Sequence, residues 1–532
     1  MKRITILCEK KRKQKMIEDA LEMQDNKDLS ADLAIIGAGP AGITIARALA
    51  GSKISTLVLE AGGMKYSAEA QDMYAGESVG IDYPLTGSRL RYLGGSSNHW
   101  GGFCFPLAPI DFEVRDWVPY SGWPIRYEEL QPYYDRASEI VEVLPGRFDD
   151  VDYWNKKYAE SIPALATGRM HLGFVQYSPP THFGERYRAD LENARNIRVL
   201  LNANVVNIDV NENGAAVKQL KVRTQSGKSH TVRARYFVLA TGGLENPRML
   251  LLSNDVMKSG LGNQNDLVGR FFMEHPHLQG NAEIVAADAR RLPRLFHEVI
   301  TFNGHSAYLA FRPSSEFLRA KKLLNASIQI GFAEEHRRSK PAQYVGPVRA
   351  KEQADMLQAA HNFIVDSSDD RRRRDPDYLG FWLGSGAACE QAPNPASRVT
   401  LSSERDALGL PRIRLDWKLT EQDRRSIMQH FYSLALEFGA LGMGRVLVNM
   451  RDDGIWPDMV AGGNHHMGTT RMSDSPANGV VDRNCRVHGI ENLYVGGSSV
   501  FPTSGIANPT LTIVALALRL AEHIKGRFHE AV

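Results

Sequence analysis

Gly37-Ala38-Gly39-Pro40-Ala41-Gly42 constrains this chain more than any other stretch of it. An apolar run, Leu33–Ile36, precedes it; a helix-forming segment, Ile43–Ala50, follows, and Thr56–Glu60 then reads as a second strand. Strand, glycine turn, helix and strand in that order specify a parallel βαβ unit. Gly37 permits the tight turn, Gly39 lets the backbone approach a pyrophosphate, and Gly42 lets the helix pack close to the strand. Pro40 and Ala41 open the helix, whose N-terminus offers free N–H groups and the positive end of its dipole. Glu60 closes the second strand about 20 residues on, where an acidic side chain meets a ribose diol. The motif is a dinucleotide-binding fingerprint, and by itself it leaves NAD and FAD both open.

The chain has 532 residues, too many for one ordinary core, so two or three structural units are expected. Lys and Arg number 64 against 61 acidic residues, and a net charge of +3 gives no nucleic-acid footprint. Arg371–Arg374 is flanked by Asp369, Asp370, Asp375 and Asp377 and reads as a solvated, self-neutralised loop. Cys8, Cys104, Cys389 and Cys485 lie far apart, which argues against a covalent c-type haem, an iron–sulfur cluster and a disulfide scaffold. The basic N-terminus lacks the apolar run of a secretory leader. Asn492–Leu518 is long and uncharged, but Gly496, Gly497, Pro502, Gly505 and Pro509 interrupt it. No membrane span and a cytoplasmic location are expected.

Residues 1–30 read as a polar lead-in, with Met16 a second plausible start and the first fifteen residues outside the core. Residues 31–280 read as a Rossmann-like nucleotide-binding domain, with ordered loops over about 70–125 covering it. Within it a helix is predicted at Tyr127–Val143 and strands at Ile197–Leu201 and Val205–Val210. Ala216–Val222, a turn at Ser226-Gly227 and Thr231–Ala240 make a meander, and a helix follows Gly242-Gly243. Residues 281–460 read as an inserted, substrate-binding domain built on an antiparallel sheet, with a helix near Glu421–Phe438. From 461 to 532 the chain returns to glycine-rich motifs and ends in a helix, Thr510–Ile524. The class is α/β, α+β overall.

The C-terminal motifs carry a specific resemblance. Gly479-Val-Val-Asp482, Asn492-Leu-Tyr-Val-Gly-Gly-Ser-Ser499, Phe501-Pro-Thr503 and Asn508-Pro-Thr510 resemble the closing segment of the glucose–methanol–choline (GMC) oxidoreductases. Gly94-Gly-Ser-Ser97 and Ala240-Thr-Gly-Gly243 with Asn246-Pro247 match two further stretches of that family. The likeness spans about 30–280 and 380–525, and the middle, about 290–380, departs from it. It implies an FAD enzyme that oxidises a CH–OH group by hydride transfer to flavin N5.

In His465-His-Met-Gly-Thr469 the position that the family uses as base, three before Gly468, falls on His465; a neutral imidazole suits the task because it takes a hydroxyl proton near working pH. His466 then reads as structural. Asn508 falls where the family places His or Asn to orient the substrate oxygen, and Pro509 and Thr510 open a helix whose N-terminus the resemblance aims at the flavin. His99 lies in Gly94-Gly-Ser-Ser-Asn-His-Trp100, similar to the stretch that carries a covalent flavin in pyranose oxidases. Covalent attachment and simple packing beside the ring stay open there. Gly95, Ser96, Asn98, Trp100 and Gly101 join it as cofactor-binding candidates, as do Ala240, Thr241 and Gly242. Val206 is implied to face the adenine through its backbone, and Gly497 and Ser498 to flank the flavin.

Glu390 and Gln391 are placed either on the substrate face of the inserted sheet or on an exposed strand edge. His275 and His277 look like a metal pair with no third ligand, and a structural role is preferred; no metal is expected. The motifs resemble most the pyranose and glycoside oxidases, which makes a secondary hydroxyl of a sugar or glycoside the expected substrate. An alcohol on a natural product such as an aminosugar, or a redox-idle lyase of the same fold, is the alternative. Oxygen or a quinone-like compound is the implied electron acceptor, and the oligomeric state is not legible.

Overall fold

The computed structural model describes residues 16–158, 162–286, 292–332, 381–448, 450, 456 and 460–530. Cys8, the first fifteen residues and Arg371–Arg374 lie outside them.

Two sheets organise the described residues. In the first, Lys27–Ile36 is central. On one side lie Thr56–Leu59, Ile197–Leu201 and Ile17–Asp19; on the other lie Ser229–Leu239 and Leu493–Val495, all parallel. Leu33–Ile36 and Thr56–Leu59 are buried at every position, as strands covered on both faces must be. Asn204–Val210 and Val217–Arg223 add the antiparallel meander that their alternation predicts. Helix Pro40–Ala48 packs against the last helix, Pro509–Glu530, which also packs on Tyr127–Ile140. Leu511, Val514, Ala515, Leu518, Ala521 and Ile524 form the buried stripe of that last helix, at helical spacing.

The lead-in of residues 1–30 needs correction. Ile17–Asp19 is an edge strand on Ile197–Leu201, and Lys27–Ser30 already belong to the central strand. Backbone pairing, Arg198 on Glu18 and Asn202 on Asp19 hold that edge. Little of it is apolar, so no hydrophobic period marks it.

The second sheet is antiparallel and runs Gly444–Val448, Pro276–Ala286, Phe381–Cys389, Ala326–Phe332, His305–Pro313, Met170–Tyr177 and Phe103–Cys104. Two of these strands come from well before residue 281. Its strands show period two. Phe174, Leu309, Phe311 and Ile328 face a core shared with Phe431, Leu434 and Phe438 of helix Glu421–Ala440. Val175, Tyr308 and Ala310 face the other way, onto the core of the first sheet. A separate three-stranded sheet has Pro411–Trp417 at its centre, antiparallel to Arg398–Arg405 and parallel to Gly76–Gly80.

The covering loops are clamped by buried charge. Arg89 reaches Glu245 at 2.8 Å, and Arg248 bridges Glu245 at 3.0 Å and Asp406 at 2.6 Å. Burial would raise the Glu245 carboxyl, but Arg248 and Arg89 outweigh it and hold it at about 2. Among the described residues no helix is long and apolar enough to cross a membrane.

Candidate active site

Glycine-rich turns meet where the parallel strands end, as open α/β sheets dictate for ligand sites. Ile36, Leu239 and Val495 each run into one: 37–42, 240–243 and 496–498. Gly37 sits at φ +105°, and a side chain there would strike the Ala240 carbonyl. Gly496 lies within 3.7 Å of Ala41 and Ala240, again measured from where its Cβ would stand. The Gly94 N–H donates to the Ala38 carbonyl at 2.9 Å, which brings the loop of Gly95, Ser96, Asn98 and His99 to the same turn. Gly39, Gly242 and Gly497 open onto free space. Glu60 is buried and accepts from the N–H of Ala38 at 3.0 Å and of Gly62 at 2.9 Å; burial raises its carboxyl. Beside it Arg91 keeps a buried Nε without a partner among the described residues. Open glycine faces, a helix N-terminus uncapped by any side chain, and an acid next to an unpaired guanidinium N–H fit a dinucleotide such as FAD.

His465 is placed by a bulge. Val460–Gly462 pairs with Pro276–Leu278, and Met467 pairs with Met273. Between those contacts two residues, Glu274 and His275, face four, Gly463 to His466. Asn464 turns at φ +62°, a conformation that Asn tolerates. The bulge strips backbone N–H groups of ladder partners, and the Glu274 carboxylate replaces them. It accepts from His465 N at 2.7 Å, Gly463 N at 3.0 Å, its neighbour His275 N at 2.9 Å, and the Tyr83 hydroxyl. Burial lifts Glu274 to about 7 in spite of those four donors.

The imidazole of His465 lies between two partners. Asn508 Nδ2 donates to its Nε2 at 3.1 Å, and its Nδ1 lies 2.8 Å from Nδ1 of His275. His277 stands edge-on with ring centroids 6.0 Å apart. Burial, with His275, His277 and His466 nearby, holds His465 well below the ordinary histidine value of 6.5. Burial alone puts His277 at about 4, and burial with His277 beside it puts His275 there too. The cluster is neutral at pH 7, so His465 is an unprotonated base.

The structure thus joins His465 to Asn508 and gathers the glycine turns. Ala240 is buried, Thr241 is tied to Asn246 Oδ1 at 2.8 Å, and Ser498 Oγ donates to the His466 carbonyl at 2.6 Å. Val206 is the extra residue of a bulge opposite Val217–Arg223, which leaves its backbone out of that ladder. Pro509 and Thr510 begin the last helix. Trp100 Nε1 donates to the Thr181 carbonyl at 3.2 Å; Gly101 is exposed, and a side chain there would strike the Phe103 ring. His99 is half-buried, and its ring has no hydrogen-bond partner among the described residues; burial lowers it. His466 packs edge-on to Tyr83 at 5.5 Å between centroids.

Two readings from sequence change. Glu390 is no exposed edge: it is buried and grips Arg115 with both oxygens while accepting from Asn325 N at 2.8 Å. Gln391 spends its whole amide on protein, accepting from Glu274 N at 2.9 Å and Trp417 Nε1 at 3.0 Å and donating to the Lys418 carbonyl at 3.0 Å and to Phe272 O. Neither has a free polar atom for substrate. His275, read from sequence as structural, lies with its Nδ1 2.8 Å from Nδ1 of His465, a hydrogen-bond distance. Glu274 and Tyr83 were missed. Glu274 precedes His-Pro-His directly, and an acid beside a histidine pair was the available signal.

The family model described as GMC oxidoreductase matches residues 393–517, and the one described as FAD dependent oxidoreductase matches 32–258. Among curated relatives, 2-methyl-1,2-propanediol dehydrogenase of Mycolicibacterium austroafricanum is 27% identical over 94% of this chain and 96% of its own length. C-glycoside 3-oxidase of Microbacterium trichothecenolyticum is 26% identical over 81% of this chain and 75% of its own. The solved pyridoxine 4-oxidase of Mesorbium loti shares the fold at a TM-score of 0.58 and 18% identity, covering 93% of this chain and 99% of that one. With the glycine turns, the His465–Asn508 pair and these likenesses together, the chain resembles the GMC oxidoreductases, carrying an FAD dependent oxidoreductase domain followed by a GMC oxidoreductase C-terminal domain.

Proposed function

We propose that this enzyme oxidises a secondary hydroxyl of a sugar or glycoside to a ketone, with His465 as the base. The observation that carries the reading is the 3.1 Å contact between Asn508 Nδ2 and His465 Nε2, next to glycine turns that fit FAD. Bound FAD supplies the hydride acceptor. Nε2 of the neutral His465 takes the hydroxyl proton, and the Asn508 amide N–H donates to the same oxygen as it becomes a carbonyl. Glu274 fixes the backbone from which the imidazole projects, so the base need not reorganise during the reaction. The first sheet with its helices is the cofactor unit, and the face of the second sheet turned toward it is the substrate side.

The sugar preference has two supports. One is a relative named for oxidising C-glycosides. Phe103, Tyr177 and Tyr308 cluster on that inner sheet face with centroids 4.9 to 5.9 Å apart, and aromatic faces suit the C–H side of a sugar ring. His99, with no hydrogen-bond partner among the described residues and in the loop beside the glycine turn, is the proposed covalent anchor of the flavin. Oxygen or a quinone-like compound is the electron acceptor in this reading, and the location is cytoplasmic. The test is anaerobic mixing of the holoenzyme with a panel of sugars, glycosides and aminosugars while the flavin absorbance is followed. Bleaching by sugars or glycosides supports the reading. Bleaching by aminosugars or simple diols alone reassigns the substrate, and a flavin that no alcohol bleaches points to the redox-idle lyase.

A further inference from the structure

His275 has a place in the reaction that its sequence neighbourhood conceals. Its Nε2 faces the main-chain carbonyls of Ser504, at 3.3 Å, and of Gly505. A carbonyl only accepts, so Nε2 of His275 must carry the ring proton. A neutral imidazole holds one such proton, and Nδ1 of His275 is therefore a bare lone pair. That lone pair lies 2.8 Å from Nδ1 of His465, which must then carry the hydrogen of that contact. Nε2 of His465 is left unprotonated, in agreement with the Asn508 amide N–H that points at it. The direction of the whole chain is set at its far end by backbone that cannot change its role.

We propose that His275 is a positioning residue for the oxidation: it holds His465 in the Nδ1–H tautomer and so keeps the Nε2 lone pair directed at the substrate hydroxyl. The inference rests on His465 being the base. When the base takes the proton, its Nδ1–H strengthens its bond to His275, which spreads the positive charge without any carboxylate. That choice has a physical reason. An anion in this position would stabilise the imidazolium and leave the base protonated, whereas a neutral acceptor orients the ring and leaves it free. Glu274, the nearby carboxylate, is turned onto backbone N–H groups instead. Surrounding groups hold His275 itself. It is fully buried, and Gln391 ties its strand to the Ser504 turn by accepting from Glu274 N at 2.9 Å and donating its own N–H to Ser504 Oγ at 3.1 Å.

The test uses His275→Gln and His275→Leu. A Gln amide offers an oxygen to His465 and an N–H to Ser504, so it reproduces both roles, while Leu removes both. In holoenzyme labelled with ¹⁵N-histidine, the ring signals of His465 are assigned by their loss in His465→Gln. Wild type and His275→Gln should show a protonated Nδ1 and a bare Nε2; His275→Leu should lose that preference. Flavin reduction at saturating substrate should fall by about 10–100-fold in His275→Leu, the cost typical of losing a group that orients a histidine, and recover most of that in His275→Gln. An Nε2–H tautomer in wild type overturns the proposal, as does a Gln variant no faster than the Leu variant. The spectra do not depend on turnover. If His465→Gln reduces its flavin normally while the tautomer is as described, the base assignment fails and the hydrogen-bond chain stands. If the Leu variant does not fold, the wild-type spectrum and the Gln variant still decide.

Discussion

Replacing Gly463 with Ala changes no chemical group of the site, yet the geometry predicts a large effect. A Cβ at this position would lie 2.8 Å from His465 Nδ1, 2.8 Å from His277 Nε2 and 2.9 Å from His465 Cε1. Ordinary contact begins near 3.4 Å, so the rings must retreat by roughly 0.6 Å. Neither flexible tips nor solvent can absorb that shift, because His465 is held at both nitrogens by His275 and Asn508. A misplacement of about 1 Å in a catalytic group costs on the order of 10²-fold, which puts Gly463→Ala at about a tenfold loss in flavin reduction. The assay is anaerobic stopped-flow at 450 nm (about the flavin maximum) with the best substrate from the panel, alongside flavin content and the denaturant midpoint. Flavin content should match wild type, since the glycine turns that fit the cofactor are elsewhere. A reduction rate within twofold of wild type would refute the claim that His465 sits in a fixed cradle.

Asn508→Ala should slow reduction less than His465→Ala, and the double variant should be less than additive, because both groups act on one substrate oxygen; fully additive losses would show separate roles. Glu274→Gln puts an amide NH₂ against part of the set formed by His275 N, Gly463 N and His465 N, leaving buried donors unmatched at about 1–3 kcal/mol each. Its urea midpoint should drop accordingly, and an unchanged midpoint would remove Glu274 from the account. The environment holds His465 well below 6.5, so its unprotonated form persists as the pH falls past that value and is lost only further down. No acid limb from His465 should appear near 6.5; Glu274, lifted to about 7, titrates in that range, so an acid limb centred near 6.5 that persists in Glu274→Gln contradicts the buried neutral cluster. Acid-precipitated wild type should stay yellow and His99→Ala should not; wild type that sheds all its flavin ends the covalent reading.

The strands and helices were legible wherever burial leaves a period. Leu33–Ile36 of the central strand, Thr56–Leu59, the meander and the last helix follow from alternation, glycine position and helical spacing. The polar edge strand Ile17–Asp19 was not, because backbone and ion pairs hold it. His465 and Asn508 were readable as motifs, but their meeting depends on a sheet strand and the start of the last helix converging, which no local pattern encodes. Glu390 and Gln391 show the opposite failure. Their polarity suggested a surface, but each is neutralised by partners distant in sequence, Arg115 and Trp417 among them. Glu274 and His275 were hidden for the same reason: a bulge defined by two separated strands gives them their task.

The most direct test of the central claim is single-turnover flavin reduction in wild type and His465→Ala, each with substrate protiated or deuterated at the carbinol carbon. Wild type should reduce its flavin with a primary isotope effect. His465→Ala, still holding FAD, should slow by the ~10²–10⁴-fold typical of a lost general base. Reduction of the His465→Ala flavin at the wild-type rate would contradict the account.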